Sequence, residues 1–148
     1  MSRPLAIVLA VAVVAGGILT DALLVSSASA STTAPSPHIV ARPNSIMVNG
    51  TTTLTGKNWP ASKKVTLEEC TQSTWVVMSN PCDTNNVVKV RANANGQFKT
   101  TMTVHTCPFT NSTPPGFEQT CYIGGNPKPS GVDTITLQGA VQITVTGP

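Results

Sequence analysis

From position 38 onward apolar and polar residues alternate in short runs, and no stretch carries apolar residues at the three-and-four spacing of an amphipathic helix. His38–Arg42 ends at Pro43 and reads as an edge strand, because proline cannot donate to a strand ladder. Asn49-Gly50 marks a turn into a strand over 51–56. Residues 57–62 (KNWPAS) form a loop before a strand over 63–70, where Val65 and Leu67 point one way and Thr66, Glu68 and Cys70 the other. Glu69 falls on the Val65–Leu67 face and is expected at a rim or strand end. Val88, Val90 and Ala92 alternate with Val87, Lys89 and Arg91 over 86–93. The Asn95-Gly96 pair then predicts a hairpin into 97–104, with Phe98, Thr100, Met102 and Val104 on one face. Ile135, Leu137, Val141, Ile143 and Val145 supply the final strands, with Gly139 marking a bulge or a break.

Composition sharpens this. Residues 31–148 hold 21 Thr and 12 Val but only three Leu, which favours pleated strands and excludes a helix bundle. With 40% hydrophobic and 10% charged residues, the chain can bury a core. About seven short strands joined by turns predict an all-β, antiparallel Greek-key sandwich. The formal charge is +3, but the cations are scattered, so no direct nucleic-acid binding is expected.

Arg3 precedes an uncharged apolar run from Leu5 to Leu19, followed by Ala28-Ser29-Ala30, an A-x-A cleavage pattern. Residues 1–30 are therefore expected to be a signal peptide, 31–37 a flexible lead-in and 38–148 the folded domain. The mature chain is expected to be secreted, monomeric and free of the membrane. In that compartment Cys70, Cys82, Cys107 and Cys121 imply two disulfides. Of the three possible pairings, the sequential one, Cys70–Cys82 with Cys107–Cys121, closes the shortest loops and is adopted. Metal is not expected, because no C-x2-C spacing is present.

Several stretches together resemble the neocarzinostatin family, the apoproteins of enediyne chromoproteins. They run from the strand ending in Pro43 through Gly56-Lys57-Asn58-Trp59-Pro60 to the strand closing in Cys70. They continue with Asn80-Pro81-Cys82, the turn from Ala92 to Gly96, Met102-Thr103-Val104, Cys121-Tyr122-Ile123-Gly124 and a terminal Thr/Val strand. The resemblance implies a seven-stranded immunoglobulin-like sandwich with an adjoining two-stranded ribbon, a cleft between them, and a labile aromatic chromophore held there without covalent attachment. Cys70 and Cys82 match the family's cleft-floor bridge, and Cys121 matches one cysteine of its other bridge. Two differences stand out. Here 13 residues separate Cys107 from Cys121, where the family closes a very short loop, and Gln72 occupies a position where family carriers place an aromatic.

Alternation puts Thr66, Glu68, Cys70 and Gln72 on one face, so a polar cleft floor is expected, completed by Cys82. Trp75, Phe109 and Phe117 lie in the two disulfide-bounded loops and are the candidate stacking surfaces. No enzymatic activity is expected: His38 and His105 have no evident nucleophile, and the adjacent Glu68 and Glu69 point to opposite faces. The expected function is a non-catalytic small-molecule binder with no cofactor other than a possible bound chromophore. The alternatives are an extracellular interaction module using loops 106–120 and 124–131, and a true enediyne apoprotein.

Overall fold

The computed structural model describes residues 34–107, 115–129 and 133–148. The expected signal peptide and Phe109 lie outside them. The described chain is all-β, with nine strands: β1 (His38–Arg42), β2 (Ser45–Met47), β3 (Thr51–Lys57), β4 (Lys64–Cys70), β5 (Thr74–Val76), β6 (Cys82–Arg91), β7 (Phe98–Thr103), β8 (Glu118–Pro129) and β9 (Thr134–Thr146). None of it is a helix long and apolar enough to cross a membrane.

Two sheets face each other. One has the order β1-β3-β7; the other runs β2-β9-β8-β4-β6, with β5 added on β9. The chain changes sheet at the cis Arg42–Pro43 bond, after which β2 pairs with the end of β9, a parallel pair in an otherwise antiparallel fold. The principal core between the sheets is built from the inward positions that alternation marked, among them Leu54, Val65, Leu67, Met102, Ile143 and Val145. Trp59 joins it from the loop, 5.7 Å from the Phe98 ring, with its indole N–H donating to the His38 carbonyl at 3.3 Å.

Two sequence expectations need correction. The 93–96 turn forms, with the Gly96 N–H donating to the Asn93 carbonyl at 3.0 Å. Its flanking strands do not make a hairpin, because β6 pairs with β4 and β7 pairs with β3. The turn thus carries the chain between sheets. Gly96 has φ 69° and lies against the Trp59 backbone where a Cβ would collide, so both its conformation and its contact require glycine. Second, residues 124–129 are strand rather than loop, continuing β8 through register shifts against β9. Strands β2 and β5, three residues each, bring the count to nine, close to the seven expected.

The glycines of β8 are there for packing. A Cβ on Gly125 would run into the Trp59 ring and Val65. Gly125→Ala should therefore lower stability by about 1–3 kcal/mol through overpacking, read as a shifted urea midpoint at constant m-value.

Candidate functional site

Along β4 the side chains divide as expected: Val65 and Leu67 are buried between the sheets, while Thr66 and Glu68 are half-buried on the opposite, outer face of the six-stranded sheet. An irregularity between Glu68 and Cys70 sets Cys70 opposite Cys82 on the edge strand β6. The two are bridged, as are Cys107 and Cys121, and no described cysteine is free. The sequential pairing is therefore the one the fold adopts.

The Cys70–Cys82 bridge is covered. Trp75 of β5 and Leu137 of β9 join both cysteines in a buried cluster separate from the principal core, with Tyr122 and Ile135 packed against it. Backbone pairing holds this flap. The Leu137 N–H donates to the Ser73 carbonyl at 2.9 Å, and β5 is in register with β9 from Thr74↔Thr136 to Val76↔Thr134. Gly124 makes the closure possible, since the Leu137 side chain occupies the space a Cβ there would need. The ribbon beside the sheet is thus β5 with the first half of β9.

Of the expected site residues, the structure brings Thr66, Glu68, Cys70, Cys82 and Trp75 to this one outer region. Gln72 is exposed in the loop leading into β5. Phe117 packs instead against the principal core, so it is not grouped with Trp75. Burial raises the pKa of Glu68 above its ordinary value.

A second polar cluster lies where β4, β6 and the end of β7 meet, and there Glu69 stands at the end of β4, one of the two places expected, but not at an exposed rim. Glu69 is fully buried between the sheets rather than at a rim. Its Oε2 accepts from the His105 backbone N–H at 2.9 Å and from Asn86 Nδ2 at 3.0 Å, and the Asn86 amide also donates to the Thr103 carbonyl at 2.7 Å. The carboxylate therefore takes the place of a strand partner just as β7 ends. Burial nonetheless pushes its pKa up to about 7, against the lowering effect of the His105 N–H and the Asn86 amide.

Beside it, His105 Nδ1 lies 2.7 Å from Asp83 Oδ2. Burial pushes Asp83 upward, but the hydrogen bonds from the His105 ring and the Asn85 N–H outweigh it and hold the carboxyl below its ordinary range. His105 is half-exposed, so the pair opens to solvent while Glu69 does not. Alternation had placed Glu69 inward; only the fold shows that Asn86 and the His105 amide are waiting for it. Glu68 and Glu69 each approach the two sulfurs of one bridge to within 4.8 Å, but bridged sulfurs offer no thiolate to a metal.

No protein-family model matches the chain, and no curated protein matches it. Among solved structures, one titled macromomycin is similar at 18% identity, over 74% of this chain and 99% of that one, with a TM-score of 0.49. A likeness of that degree carries no residue's role across.

Proposed function

We propose that this is a secreted, non-catalytic protein that binds a small molecule on the outer face of its six-stranded sheet, beside the β5–β9 flap. The observation that carries the reading is the second apolar cluster. A sandwich needs only one core, yet here Trp75, Leu137, Ile135 and Tyr122 gather over the Cys70–Cys82 bridge outside it. Thr66 and Glu68, half-buried on the same face, supply polar groups next to aromatic ones, the mixture that orients ligands in pockets. Glu68 favours a cationic or hydrogen-donating ligand, and Trp75 offers the stacking surface once the flap yields.

The flap makes the ligand compete with Trp75 for the bridge. Fluorescence reads this directly in Trp59→Phe, which leaves Trp75 as the sole tryptophan. A cationic aromatic ligand should shift the Trp75 emission, and Glu68→Ala should weaken that response about 5–10-fold, the loss of one partly exposed charged hydrogen bond. A neutral polyaromatic that binds equally well to Glu68→Ala, or a Trp75 signal unmoved by any ligand, would refute the site. Native mass spectrometry of protein from its own culture medium tests the narrower idea of an enediyne apoprotein, which requires a retained chromophore.

A second reading, an interaction module, is favoured by one feature. Val76, Val77 and Met78 are consecutive and exposed, Met78 at 97%, at the tip of the loop stapled by Cys70–Cys82. Such a run has no folding rationale. The same titration separates the readings, since a module leaves Trp75 silent toward small molecules.

A further inference from the structure

The fold sorts the acids rather than the cations: Lys64, Lys89, Arg91 and Lys128 lie in the six-stranded sheet, but one sheet is left without any carboxylate. All five acidic residues of the described chain, Glu68, Glu69, Asp83, Glu118 and Asp133, lie in the six-stranded sheet or in the approach to β9. Strands β1, β3 and β7 contain none. Instead the outer face of their sheet presents His38, Arg42, Lys57 and Lys99, all exposed. Among the described residues the one ion pair is His105–Asp83, so Arg42, Lys57 and Lys99 have no counter-charge.

The register fixes their layout. His38 stands opposite Lys57, Val40 opposite Thr55, and Arg42 opposite Thr53. On the other side Thr55 faces Lys99, Thr53 faces Thr101, and Thr51 faces Thr103. At roughly 5 Å between strands and roughly 7 Å between same-face residues along a strand, this is a flat lattice of hydroxyls edged by positive charge. Two depressions cross it. One, of about 220 Å³, is lined by His38, Val40, Arg42, Thr55 and Lys57. The other, of about 370 Å³, shares Thr55 and Lys57 and extends past Lys99 to Asn93 and Gln97.

We propose that this face binds an anionic polysaccharide, its charged groups on Arg42, Lys57 and Lys99 and its hydroxyls on the threonine rows. Charge complementarity names the sign of the partner, and the shared depressions suit an extended chain rather than a single ion. Among the described residues this face shows no exposed aromatic, and that decides between polyanions. Single-stranded nucleic acid needs rings on which bases stack, and Trp59 and Phe98, the described aromatics nearest this face, are 3% and 6% exposed. A glycan dense in charge binds through ion contacts and hydroxyl hydrogen bonds alone. This surface lies on the opposite sheet from the Glu68 site, so it stands or falls independently of the small-molecule reading.

Isothermal titration of the mature protein with a heparin octasaccharide tests it. Binding should weaken steeply between roughly 50 and 200 mM salt, and each cation removed should lower the salt slope by about 0.7–0.9, the counterion-release increment. The triple variant Arg42→Ala/Lys57→Ala/Lys99→Ala should lose at least about tenfold in affinity at low salt, with its thermal melt confirming the fold. A control on the other sheet, Lys64→Ala/Lys89→Ala/Lys128→Ala, should lose less than about threefold, since exposed charges beyond a Debye length are screened. Equal loss in both variants, or none in the first, overturns the face. Single-stranded oligothymidylate binding as tightly as heparin at matched charge overturns the glycan.

Discussion

Replacing Cys107 and Cys121 together by alanine should lower the unfolding free energy by about 2–5 kcal/mol, the usual cost of losing a native bridge in a small secreted domain. Both half-cystines belong to the principal core, at 4% and 0% exposure. The bridge ties the segment leaving β7, in the three-stranded sheet, to β8 in the six-stranded one. Two effects therefore add. Opening a 14-residue separation frees unfolded-chain entropy worth ~3 kcal/mol in the chain-entropy model. Removing two sulfurs from between the sheets also forfeits packing that neighbours only partly recover. Alanine is the right replacement, because a serine at 107 could donate to Glu69, whose Oε1 lies 3.8 Å from the Cys107 sulfur, and mask part of the loss. Urea unfolding of oxidised wild type and variant gives the difference. A change under about 0.5 kcal/mol would mean that the β7–β8 tie constrains nothing that the two sheets do not already hold.

Alternation located β1, β3, β4, β7 and β9 because each has one face on a core, and a half-buried strand writes its period into the sequence. It could not locate the far half of β8. There Gly124, Gly125, Asn126 and Pro127 look like loop composition, and their presence in a strand follows from neighbours far along the chain: Leu137 fills the space over Gly124, and Trp59 lies against Gly125. The turn at Asn93–Gly96 shows the same division. Its local chemistry was legible, but which strands pair across it is a property of the whole sandwich, and β6 and β7 found better partners in β4 and β3.

The candidate site was legible to the same depth. Thr66, Glu68 and Cys70 share a face because strand geometry requires it, and the sequential bridges follow from the short loops they close. That Trp75 would lie over the Cys70–Cys82 bridge depends on β5 pairing with β9, a contact about 60 residues away that no local pattern announces. The cationic face was invisible for a related reason. Arg42, Lys57 and Lys99 are isolated in sequence and come to share one face only when β1, β3 and β7 form one sheet.

Glu69 should make the protein less stable as pH rises from about 4.5 toward 7. Its pKa is 4.5 when exposed and about 7 in the fold, so between those values the native state holds a proton that the unfolded chain has released. Stability then falls with increasing pH. The contribution is fully present below about pH 4.5 and gone above about 7, and a rise of that size corresponds to about 3 kcal/mol. Asp83 acts with the opposite sign but elsewhere: its folded pKa lies below the ordinary 3.8, so its contribution is lost only as pH falls under about 4. Glu69→Gln keeps an oxygen to accept the His105 N–H and removes the titration. Its unfolding free energy should be nearly flat from pH 5 to 7.5, where wild type declines. Relative to wild type, the variant should therefore gain up to about 3 kcal/mol across that range. Asn86→Ala sharpens the test, because it strips one donor from the carboxylate and should extend the wild-type decline to higher pH. Denaturant titrations at half-unit pH steps give these curves. Parallel slopes for wild type and Glu69→Gln would show that Glu69 titrates as an ordinary carboxylate despite its burial between the sheets.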